Sequence, residues 1–590
     1  MLFKRVLESK VIWPLVPNAT STDGRCRALG KWIVASAWPY VYSLPHLGNL
    51  IGAPLSADVF ARFLRRVGEE VVFVSGSDEH GTPIEAEARK RGVPPRQLTD
   101  EMHALVSSLF EGFRISYDNY TRTESPTHVS FVQEFYKKLY ENGHIYVDEI
   151  EQLYCEKDEM FLPDRFVVGT CPYCGNPKAY GDQCDVCGRL LNPLDLINPR
   201  CVFCGSTPVV RRTKHWFFDL PKFSEALREY VERNENLPDN ARNMSLAMLR
   251  EGLKPRSVTR DNKWGIPAPF PGAEGKTIYV WMEAVLGYVS AVKEWAERQG
   301  RPELFDTFWK DANTKSVYFI GKDNIPFHTL IFPALLMASG EGYVLPFNVS
   351  STEFLMYEEQ KFSKSKGVGI WMDEALELLE SDYWRYYLIA TRPETKDSNF
   401  SWDDFEAKIN NELNDVLGNF VHRTLTFVSK RFGGEVPKLD EEDEGAVEVI
   451  ERAKRRSKQA EESLWRFRMR EALYRVIDVA RIGNAFLNAR APWADLKEGR
   501  VERAGSTIAA SATLVKGLAY YLEPFLPDTS ERIWNMLRLE GDPHSSLWTN
   551  AFDPLPAGHK IGEVRPLFKK VNKEELKRRL GEIRTGPAQS

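Results

Sequence analysis

Two short segments, far apart in the chain, carry residue types suited to binding phosphate. The first phosphate segment, residues 45–49, reads Pro-His-Leu-Gly-Asn and precedes a predicted helix, whose free N–H groups and dipole favour an anion. Its histidine can donate a hydrogen bond to phosphate, and its glycine lets a flat base or ribose approach the backbone. The second phosphate segment, residues 361–365, reads Lys-Phe-Ser-Lys-Ser and supplies ammonium groups for a triphosphate whose charge shifts during reaction.

Either segment alone is typical of an ordinary turn or a solvated loop. Their joint presence, in this order, predicts one ATP site that draws on both. The residues expected to bind ATP are Pro45, His46, Gly48, Asn49, Lys361, Ser363, Lys364 and Ser365.

Six of the eight cysteines form three Cys-x-x-Cys pairs within one short stretch. In a large chain without a secretory signal, this pattern favours metal over a disulfide framework. The first two pairs have the spacing of a closed, structural zinc site with four thiolate ligands: Cys171, Cys174, Cys184 and Cys187. The third pair needs partners, and a second site is predicted from Cys155, Asp158, Cys201 and Cys204, with unligated thiols as the alternative.

Composition places the chain among ordinary soluble globular proteins, with 43% hydrophobic and 27% charged residues. Its 590 residues suggest about three or four domains. The net charge is only −5, so binding to nucleic acid would have to use local basic patches.

Residues 32–57 contain no charged side chain but are interrupted by three prolines, so they do not predict a membrane span. Charged residues near the N-terminus interrupt any apolar core, so no signal peptide is predicted. We therefore expect a cytoplasmic protein without a membrane segment.

Strand, helix and strand follow one another over residues 31–38, 48–67 and 71–75, which predicts the start of a parallel α/β sheet. Two further strands are predicted over 277–282 and 316–320. Between them and the first strands, the cysteine-rich stretch 146–212 predicts a small inserted domain.

Beyond about residue 405 the apolar residues recur at helical spacing, which predicts a helical region. Within it we expect an acidic loop over 435–451 and a basic helix over 451–475. The last forty residues predict an extended tail that wraps onto the body.

The two phosphate segments resemble the HIGH and KMSKS signatures of class I aminoacyl-tRNA synthetases. Further segments resemble the methionyl-tRNA synthetase family, in an archaeal-like form: Ala-Trp-Pro-Tyr at 37–40, Gly-Ser-Asp-Glu-His-Gly-Thr-Pro at 76–83, and the runs 279–288 and 319–328. Two positions depart from the family pattern, because Asn49 replaces the last signature histidine and Phe362 replaces the usual methionine. Asn49 can still donate a hydrogen bond but cannot become cationic, and Phe362 is an apolar exchange expected only to repack.

The resemblance implies an α/β fold: a parallel-sheet nucleotide-binding catalytic domain with an inserted zinc-knuckle domain, followed by an all-α anticodon-binding bundle. The expected divisions are an N-terminal extension (1–30), the first catalytic half (31–145), the zinc-knuckle connective domain (146–225), the second catalytic half (226–345), a stem-contact region around the second phosphate segment (346–405), the anticodon-binding domain (406–550) and a C-terminal tail (551–590).

Methionine has no charged side chain, so its pocket should be apolar, aromatic and able to contact sulfur. By resemblance the methionine-binding residues are Trp38, Tyr40, Asp78, Trp281, Ala284, Tyr288, Asn324 and His328. Asp78 is the anion expected to take the α-ammonium group. Any one of these aromatic residues alone would be interpreted as core packing.

By resemblance Asn419, Arg423 and Trp493 are the residues that bind the anticodon. Asn419 and Arg423 are four residues apart and so share a helix face, and splayed anticodon bases are recognised by stacking and edge hydrogen bonds. Taken alone, the polar pair would be a solvated face and the tryptophan would be core. The basic helix could contact phosphate or simply be solvated.

The implied reaction joins L-methionine to tRNA(Met) in two steps at the expense of ATP. The methionine carboxylate attacks the α-phosphorus, pyrophosphate leaves, and a terminal ribose hydroxyl of the tRNA then attacks the adenylate. The groups expected to stabilise the leaving pyrophosphate are Mg²⁺ and the catalytic residues His46, Asn49, Lys361 and Lys364. The site would work by positioning and electrostatic stabilisation, without a protein nucleophile.

Three alternatives remain open at this point. A class I synthetase for another amino acid is one, although the space between the two catalytic halves leaves little room for the editing domain of the isoleucine, valine and leucine enzymes. An inactive paralogue that binds tRNA is the second, and a zinc-ribbon interaction protein is the third, which leaves the long α/β sequence unexplained. A monomer is expected, with a separate tRNA-binding partner chain as a possible addition.

Overall fold

The computed structural model describes residues 30–182, 184, 186–187, 189, 191–363 and 367–585. The predicted N-terminal extension, Lys364 and Ser365 lie outside these residues, apart from Gly30.

The strands, in chain order, are β1 (Lys31–Ser36), β2 (Glu70–Ser77), β3 (Asn119–Arg122), β4 (Ile145–Cys155), β5 (Met160–Phe161), β6 (Val167–Thr170), β7 (Ala179–Tyr180), β8 (Ile197–Cys201), β9 (Val209–Phe218), β10 (Arg256–Ser257), β11 (Thr259–Arg260), β12 (Thr277–Ile278), β13 (Lys315–Gly321), β14 (Pro346–Thr352), β15 (Leu355–Tyr357) and β16 (Ser398–Phe400).

The α-helices span Leu47–Gly52, Pro54–Arg66, Thr82–Arg91, Pro95–Gly112, Pro126–Glu141, Ser224–Arg233, Asp239–Glu251, Val280–Ala284, Gly287–Arg298, Glu303–Trp309, Phe332–Ser339, Met372–Leu378, Ser381–Ala390, Trp402–Lys408, Asn419–Arg431, Glu444–Trp465, Met469–Arg490, Pro492–Lys497, Val501–Leu522, Pro527–Leu537 and Lys573–Thr585. Two π-helical stretches, Phe327–Ile331 and Ile409–Gly418, continue into the α-helices that follow them. None of the described helices is both long enough and apolar enough to cross a membrane.

The main sheet has five strands in the order β14-β13-β1-β2-β3, and all of its neighbouring strands are parallel. β1 is buried along almost its whole length, as expected for a parallel strand covered on both faces. Its side chains alternate between two cores, with Trp32 and Val34 in one and Ile33 and Ala35 in the other. The predicted parallel strand–helix–strand unit is therefore confirmed.

Two of the predicted elements in this region need correction. The single helix predicted over 48–67 is two helices that meet at Ala53, because Pro54 cannot donate a backbone hydrogen bond and so starts a new helix. The strand predicted over 277–282 ends at Ile278, where β12 pairs with the two-residue β11 and, through Thr277, forms a single bridge with Pro267. After Tyr279 the chain turns into the helix Val280–Ala284. By contrast, the strand predicted over 316–320 lies within β13.

The cysteine-rich stretch forms its own small layer. β4 and β9 make a long antiparallel hairpin that is paired from Ile145 with Phe218 to Tyr154 with Val209. At its far end β7, β6 and β8 form a three-stranded sheet beside the cysteines.

The C-terminal part is helical, as predicted, but three details differ. The acidic loop ends earlier, because the Asp443 side chain caps a helix that begins at Glu444. The predicted basic helix is divided between Glu444–Trp465 and Met469–Arg490, with Phe467 at the break in a positive-φ conformation. The predicted extended tail ends in the helix Lys573–Thr585, whose Leu576 and Leu580 are buried at i, i+4 spacing.

A buried ionic cluster joins the sheet region to the C-terminal helices. Arg385 is fully buried, and its guanidinium donates to Asp58 Oδ2 at 2.7 Å and to the carbonyls of Phe113, Pro524 and Phe525 at 2.8–2.9 Å. Burial alone would raise the pKa of Asp58, but Arg62 and Arg385 beside it hold that pKa below its ordinary value.

We expect Arg385→Ala to lower the free energy of unfolding by about 3–5 kcal/mol, because it leaves Asp58 buried with one of its cationic partners removed. Urea unfolding followed by circular dichroism measures the loss. Arg565→Ala is the control, because Arg565 is exposed and pairs only with Glu563, and its midpoint should match the wild type. Equal midpoints for the two variants would contradict the structural importance of this cluster.

Candidate active site

A cavity of about 560 Å³ opens at the carboxyl ends of β1, β13 and β14. Ligands of open α/β sheets usually bind at this end of the strands. The cavity also lies beside β1, from which β2 follows on one side and β13 on the other. The cavity brings together residues of both phosphate segments with four of the predicted methionine-binding residues: Pro45, His46, Gly48, Asn49, Lys361 and Ser363, with Trp38, Tyr40, Trp281 and Asn324.

His46 caps the helix Leu47–Gly52 through a reciprocal pair of hydrogen bonds. Its Nδ1 accepts from the Asn49 backbone N–H at 3.3 Å, and its own backbone N–H donates to Asn49 Oδ1 at 3.0 Å. Burial lowers the pKa of His46 to about 4, so the ring is neutral near pH 7. Because Nδ1 is an acceptor, the proton is on Nε2. Both side chains therefore have donors left for a ligand: Nε2–H of His46 and the amide NH₂ of Asn49.

Phe362 lies flat on the His46 ring, with centroids 4.1 Å apart and planes inclined by 9°. A Cβ at Gly369, which has a φ of +132°, would overlap Phe362, and a Cβ at Gly48 would lie 3.4 Å from it. The second phosphate segment is thus packed against the first through an aromatic pair, a more specific contact than the simple repacking predicted from sequence.

The second phosphate segment is held at Ser363 by two backbone hydrogen bonds to Val368. Ser363 N–H donates to Val368 O at 2.9 Å, and Val368 N–H donates to Ser363 O at 3.0 Å. Lys361 and Ser363 line the cavity, whereas Lys364 and Ser365 lie outside the described residues.

Trp38 forms the buried wall of the amino-acid side of the cavity. A Cβ at Gly76 would come within 2.8 Å of the indole, and one at Gly287 within 2.6 Å, so both glycines are needed to admit the ring. Trp281 lies on the opposite, accessible side with 38% of its surface exposed, and it stacks on Phe327 at 5.1 Å.

Four predicted methionine-binding residues do not line the cavity: Asp78, Ala284, Tyr288 and His328. Two of them form a buried pair directly behind Asn324. Tyr288 OH donates to His328 Nε2 at 2.8 Å, and His328 Nδ1–H donates to Asn324 O at 2.9 Å. Burial lowers the pKa of His328 to about 4, which keeps the ring neutral and this hydrogen-bond direction fixed.

Asp78 is buried beside the cavity, next to Tyr40 in a short parallel bridge. Its Oδ1 atom has no hydrogen-bond partner among the described residues. Burial, reinforced by Glu283, raises the pKa of Asp78 well above its ordinary value. A buried carboxyl group with one oxygen that lacks a hydrogen-bond partner is suited to binding a cationic ligand group.

His80 is a residue supporting the site that sequence reasoning missed. Its ring nitrogens lie 2.6 Å from Glu283 and 2.6 Å from Glu124. Burial alone would lower the pKa of His80, but the two carboxylates raise it to about 10, so the ring is a buried cation. Glu283 belongs to the helix that carries Trp281, so His80 ties the end of β2 to the cavity wall. The position of His80 in the segment 76–83 is the sequence signal that could have identified it.

A second cavity, of about 330 Å³, lies in the helical region and contains two of the three predicted anticodon-binding residues. Arg423 donates to Asn488 Oδ1 at 2.9 Å, and its guanidinium carbon lies 5.8 Å from the centroid of the half-exposed Trp493 ring. Asn419 is exposed at the start of the same helix as Arg423 but does not line this cavity.

Both predicted cysteine clusters are assembled. In the first, the sulfurs of Cys171 and Cys187 are 3.9 Å apart and those of Cys174 and Cys184 are 3.6 Å apart. Zinc–sulfur bonds of about 2.3 Å in a tetrahedron place sulfurs about 3.8 Å apart, so this arrangement fits a zinc ion.

The second cluster contains Cys155, Asp158, Cys201 and Cys204, whose possible ligand atoms all lie within 4.8 Å of one another. Asp158 Oδ2 lies 3.3 Å from the Cys155 sulfur and 3.1 Å from the Cys201 sulfur. Its other oxygen accepts a hydrogen bond from Arg89 at 3.2 Å. A second contact of this kind typically orients a ligand carboxylate.

Comparisons with known proteins agree with this geometry. The family model described as tRNA synthetases class I (M) matches residues 32–425, and the one described as the anticodon binding domain of methionyl tRNA ligase matches residues 436–583. A solved structure of Mycobacterium tuberculosis methionyl-tRNA synthetase in complex with methionyl-adenylate shares the fold, with a TM-score of 0.76 and 23% identity over 92% of this chain and 100% of that one. The predicted fold class is confirmed.

Curated relatives are similar over almost their full length. The methionine–tRNA ligase of Korarchaeum cryptofilum is 62% identical, over 94% of this chain and 98% of the relative. That of Thermofilum pendens is 56% identical, over 93% of this chain and 97% of the relative. The chain belongs to the methionyl-tRNA synthetase family of class I aminoacyl-tRNA synthetases.

Proposed function

We propose that this protein ligates L-methionine to tRNA(Met) with ATP, through a methionyl-adenylate, and releases pyrophosphate and AMP. The observation that carries the proposal is the single cavity in which both phosphate segments meet an aromatic pocket beside Asp78, whose Oδ1 has no hydrogen-bond partner among the described residues. The alternatives of a synthetase for another amino acid and of an inactive paralogue gain no support from the comparisons.

In the first step the methionine carboxylate attacks the α-phosphorus of ATP, the bond to the bridging oxygen breaks, and pyrophosphate carries away the electron pair. The neutral His46 donates from Nε2, and Asn49 donates from its amide. Lys361, together with Lys364 of the same segment, supplies positive charge, and Mg²⁺ would arrive bound to the triphosphate. These groups stabilise charge that develops as pyrophosphate leaves.

Methionine would lie with its α-ammonium toward Asp78 and its side chain between Trp38 and Trp281. Sulfur contacts aromatic edges favourably, and this pocket is lined by indole rings. The Tyr288–His328 pair supports the pocket from behind through Asn324, and Ala284 lies in the helix that carries Trp281.

In the second step a ribose hydroxyl of the terminal adenosine of the tRNA attacks the adenylate carbonyl, and AMP leaves. We propose that Arg423 and Trp493 read anticodon bases in the second cavity by hydrogen bonding and stacking, with Asn419 at its edge. We expect a monomer that works in the cytoplasm, where charged tRNA is used, with a separate tRNA-binding chain as a possible partner.

We propose that each cysteine cluster holds one zinc ion. The all-thiolate cluster has no open position, so that ion would be structural and would hold residues 171–187 together. Asp158 would complete the second cluster, and the Ser206 hydroxyl, 3.2 Å from Cys155 and 3.0 Å from Cys204, would support its thiolates.

The function is tested by pyrophosphate exchange driven by each amino acid in turn, followed by charging of tRNA(Met). We expect exchange with methionine but not with isoleucine, valine, leucine or cysteine. Lys364→Ala should slow adenylate formation by about 10²–10³-fold, because it removes a charge that acts mainly in the transition state. Methionine binding, measured by calorimetry, should stay near the wild-type value. Equal losses in exchange and in methionine binding would contradict the ATP role of the loop.

We expect the affinity for methionine to rise with pH as Asp78 loses its proton, because only the carboxylate pairs with the α-ammonium and its pKa is raised in the free protein. Asp78→Asn should abolish this rise and weaken binding about 30-fold or more. Calorimetric titrations at a series of pH values measure both effects. Asp306→Asn, at an exposed carboxylate that does not line the cavity, is the control and should keep the wild-type profile. A wild-type affinity for Asp78→Asn would exclude the ammonium contact.

We expect two zinc ions per chain when the metal content is measured by mass spectrometry. Asp158→Ala should lose one of them and Cys174→Ser the other, because each removes one of four ligands. The control is Asp148→Ala, at an exposed carboxylate of the same hairpin, which should retain both. If Asp158→Ala also retains both ions, Asp158 is not a ligand.

A further inference from the structure

The C-terminal helix Lys573–Thr585 ends against residues 367–374, which follow the second phosphate segment. There the Arg584 guanidinium contacts Glu374 through Nε at 2.6 Å and Nη2 at 2.9 Å. It also donates to Gly369 O at 2.6 Å and to Gly367 O at 3.3 Å. Its Cζ lies 5.6 Å from the centroid of the Trp371 ring. The Arg584 side chain thus contacts four residues after the second phosphate segment: Gly367, Gly369, Trp371 and Glu374.

The two carbonyls belong to residues that position the ATP cavity. Between them, Val368 exchanges backbone hydrogen bonds with Ser363, which lines that cavity. Gly369 provides the space in which Phe362 stacks on His46. The two carbonyls that Arg584 contacts therefore belong to the residues on either side of Val368, which pairs with Ser363.

A second route to His46 runs through Trp371. The indole lines the ATP cavity, and the backbone at 370–372 pairs with the first phosphate segment. Leu47 N–H donates to Ile370 O, and Met372 N–H donates to Pro45 O, both at 3.1 Å. Trp371 N–H is held by Glu374 at 3.0 Å, the same carboxylate that binds Arg584.

The chemistry of these contacts requires a guanidinium. Its planar fork can contact both oxygens of Glu374, direct further N–H groups at two carbonyls, and lie over an indole. A lysine ammonium would keep the charge but could not make all of these contacts at once.

The helix does not depend on Arg584 for docking. Leu576 and Leu580 are buried, Arg579 donates to Glu377 O at 3.1 Å, and Lys573 pairs with Asp403. Removing the Arg584 side chain should leave these contacts in place, so a change in activity can be separated from loss of the helix.

We propose that Arg584 is a positioning residue for adenylate formation: it fixes residues 367–371 so that Phe362 and His46 are held in register at the ATP site. This inference rests on the proposed ATP site, because Arg584 itself is not expected to touch substrate. Small displacements of groups that position a reaction cost large factors in rate.

The test measures pyrophosphate exchange with ATP varied at saturating methionine, and then with methionine varied at saturating ATP. For Arg584→Ala we expect kcat/KM for ATP to fall about tenfold or more, while KM for methionine stays at the wild-type value. Arg584→Lys should recover only part of the loss. The control is Arg578→Ala on the same helix, an exposed arginine paired with Glu582, which should behave as wild type.

His46→Ala, measured in parallel, separates this inference from the proposed function. If His46→Ala leaves the ATP parameters unchanged, the proposed ATP site itself is wrong. If His46→Ala loses exchange while Arg584→Ala matches Arg578→Ala, only the inference about Arg584 is wrong. A parallel fall in the ATP and methionine parameters of Arg584→Ala, with a lower thermal midpoint, would show that the residue only supports folding and would also overturn the proposal.

Discussion

The pairing of buried charges is the constraint on which this molecule depends. The helix Pro54–Arg66 follows the short helix Leu47–Gly52, which begins in the first phosphate segment, and contributes Asp58 and Arg62 to the interior. Arg385 and Glu523 reach these residues from parts of the chain far away in sequence. Because a buried charge without a partner is strongly unfavourable, these elements must meet in one arrangement. This buried ionic cluster therefore joins the sheet region to the C-terminal helices.

A similar logic distinguishes two titratable groups beside the cavity. His80 is a buried cation whose two ring nitrogens each contact a carboxylate, and so it is structural in character. Asp78, two residues away, keeps one oxygen without a hydrogen-bond partner among the described residues, and burial raises its pKa well above the ordinary value. The described residues thus satisfy His80 fully but Asp78 only in part.

Sequence reasoning recovered the parallel sheet, the order of the main elements, the meeting of the two phosphate segments in one cavity and the grouping of both cysteine clusters. These features have short-range signals: β-rich runs bounded by turns, fixed cysteine spacings and signature strings. Sequence reasoning failed where packing between distant segments decides the structure. Residues 279–282 look strand-like but have no partner strand among the described residues, and the last helix forms because Leu576 and Leu580 find a surface to cover.

Within the site, sequence alone also does not distinguish residues that line the cavity from residues that support it from behind. Trp38 and Trp281 line the cavity, whereas Tyr288 and His328 stand behind it, and residue type alone does not distinguish the two positions. Trp371 lines the cavity without any local pattern that marks it. Its contribution comes from backbone pairing with residues more than 300 positions earlier in the chain, which only the folded structure reveals.

The indole of Trp38 between Gly76 and Gly287 makes three positions of the cavity wall dependent on one another. A side chain at either glycine would collide with the ring, and loss of the ring would open a void beside the cavity. A substitution at one of these positions therefore needs a compensating change at another, whereas a paired exchange that conserves the packed volume would be tolerated best.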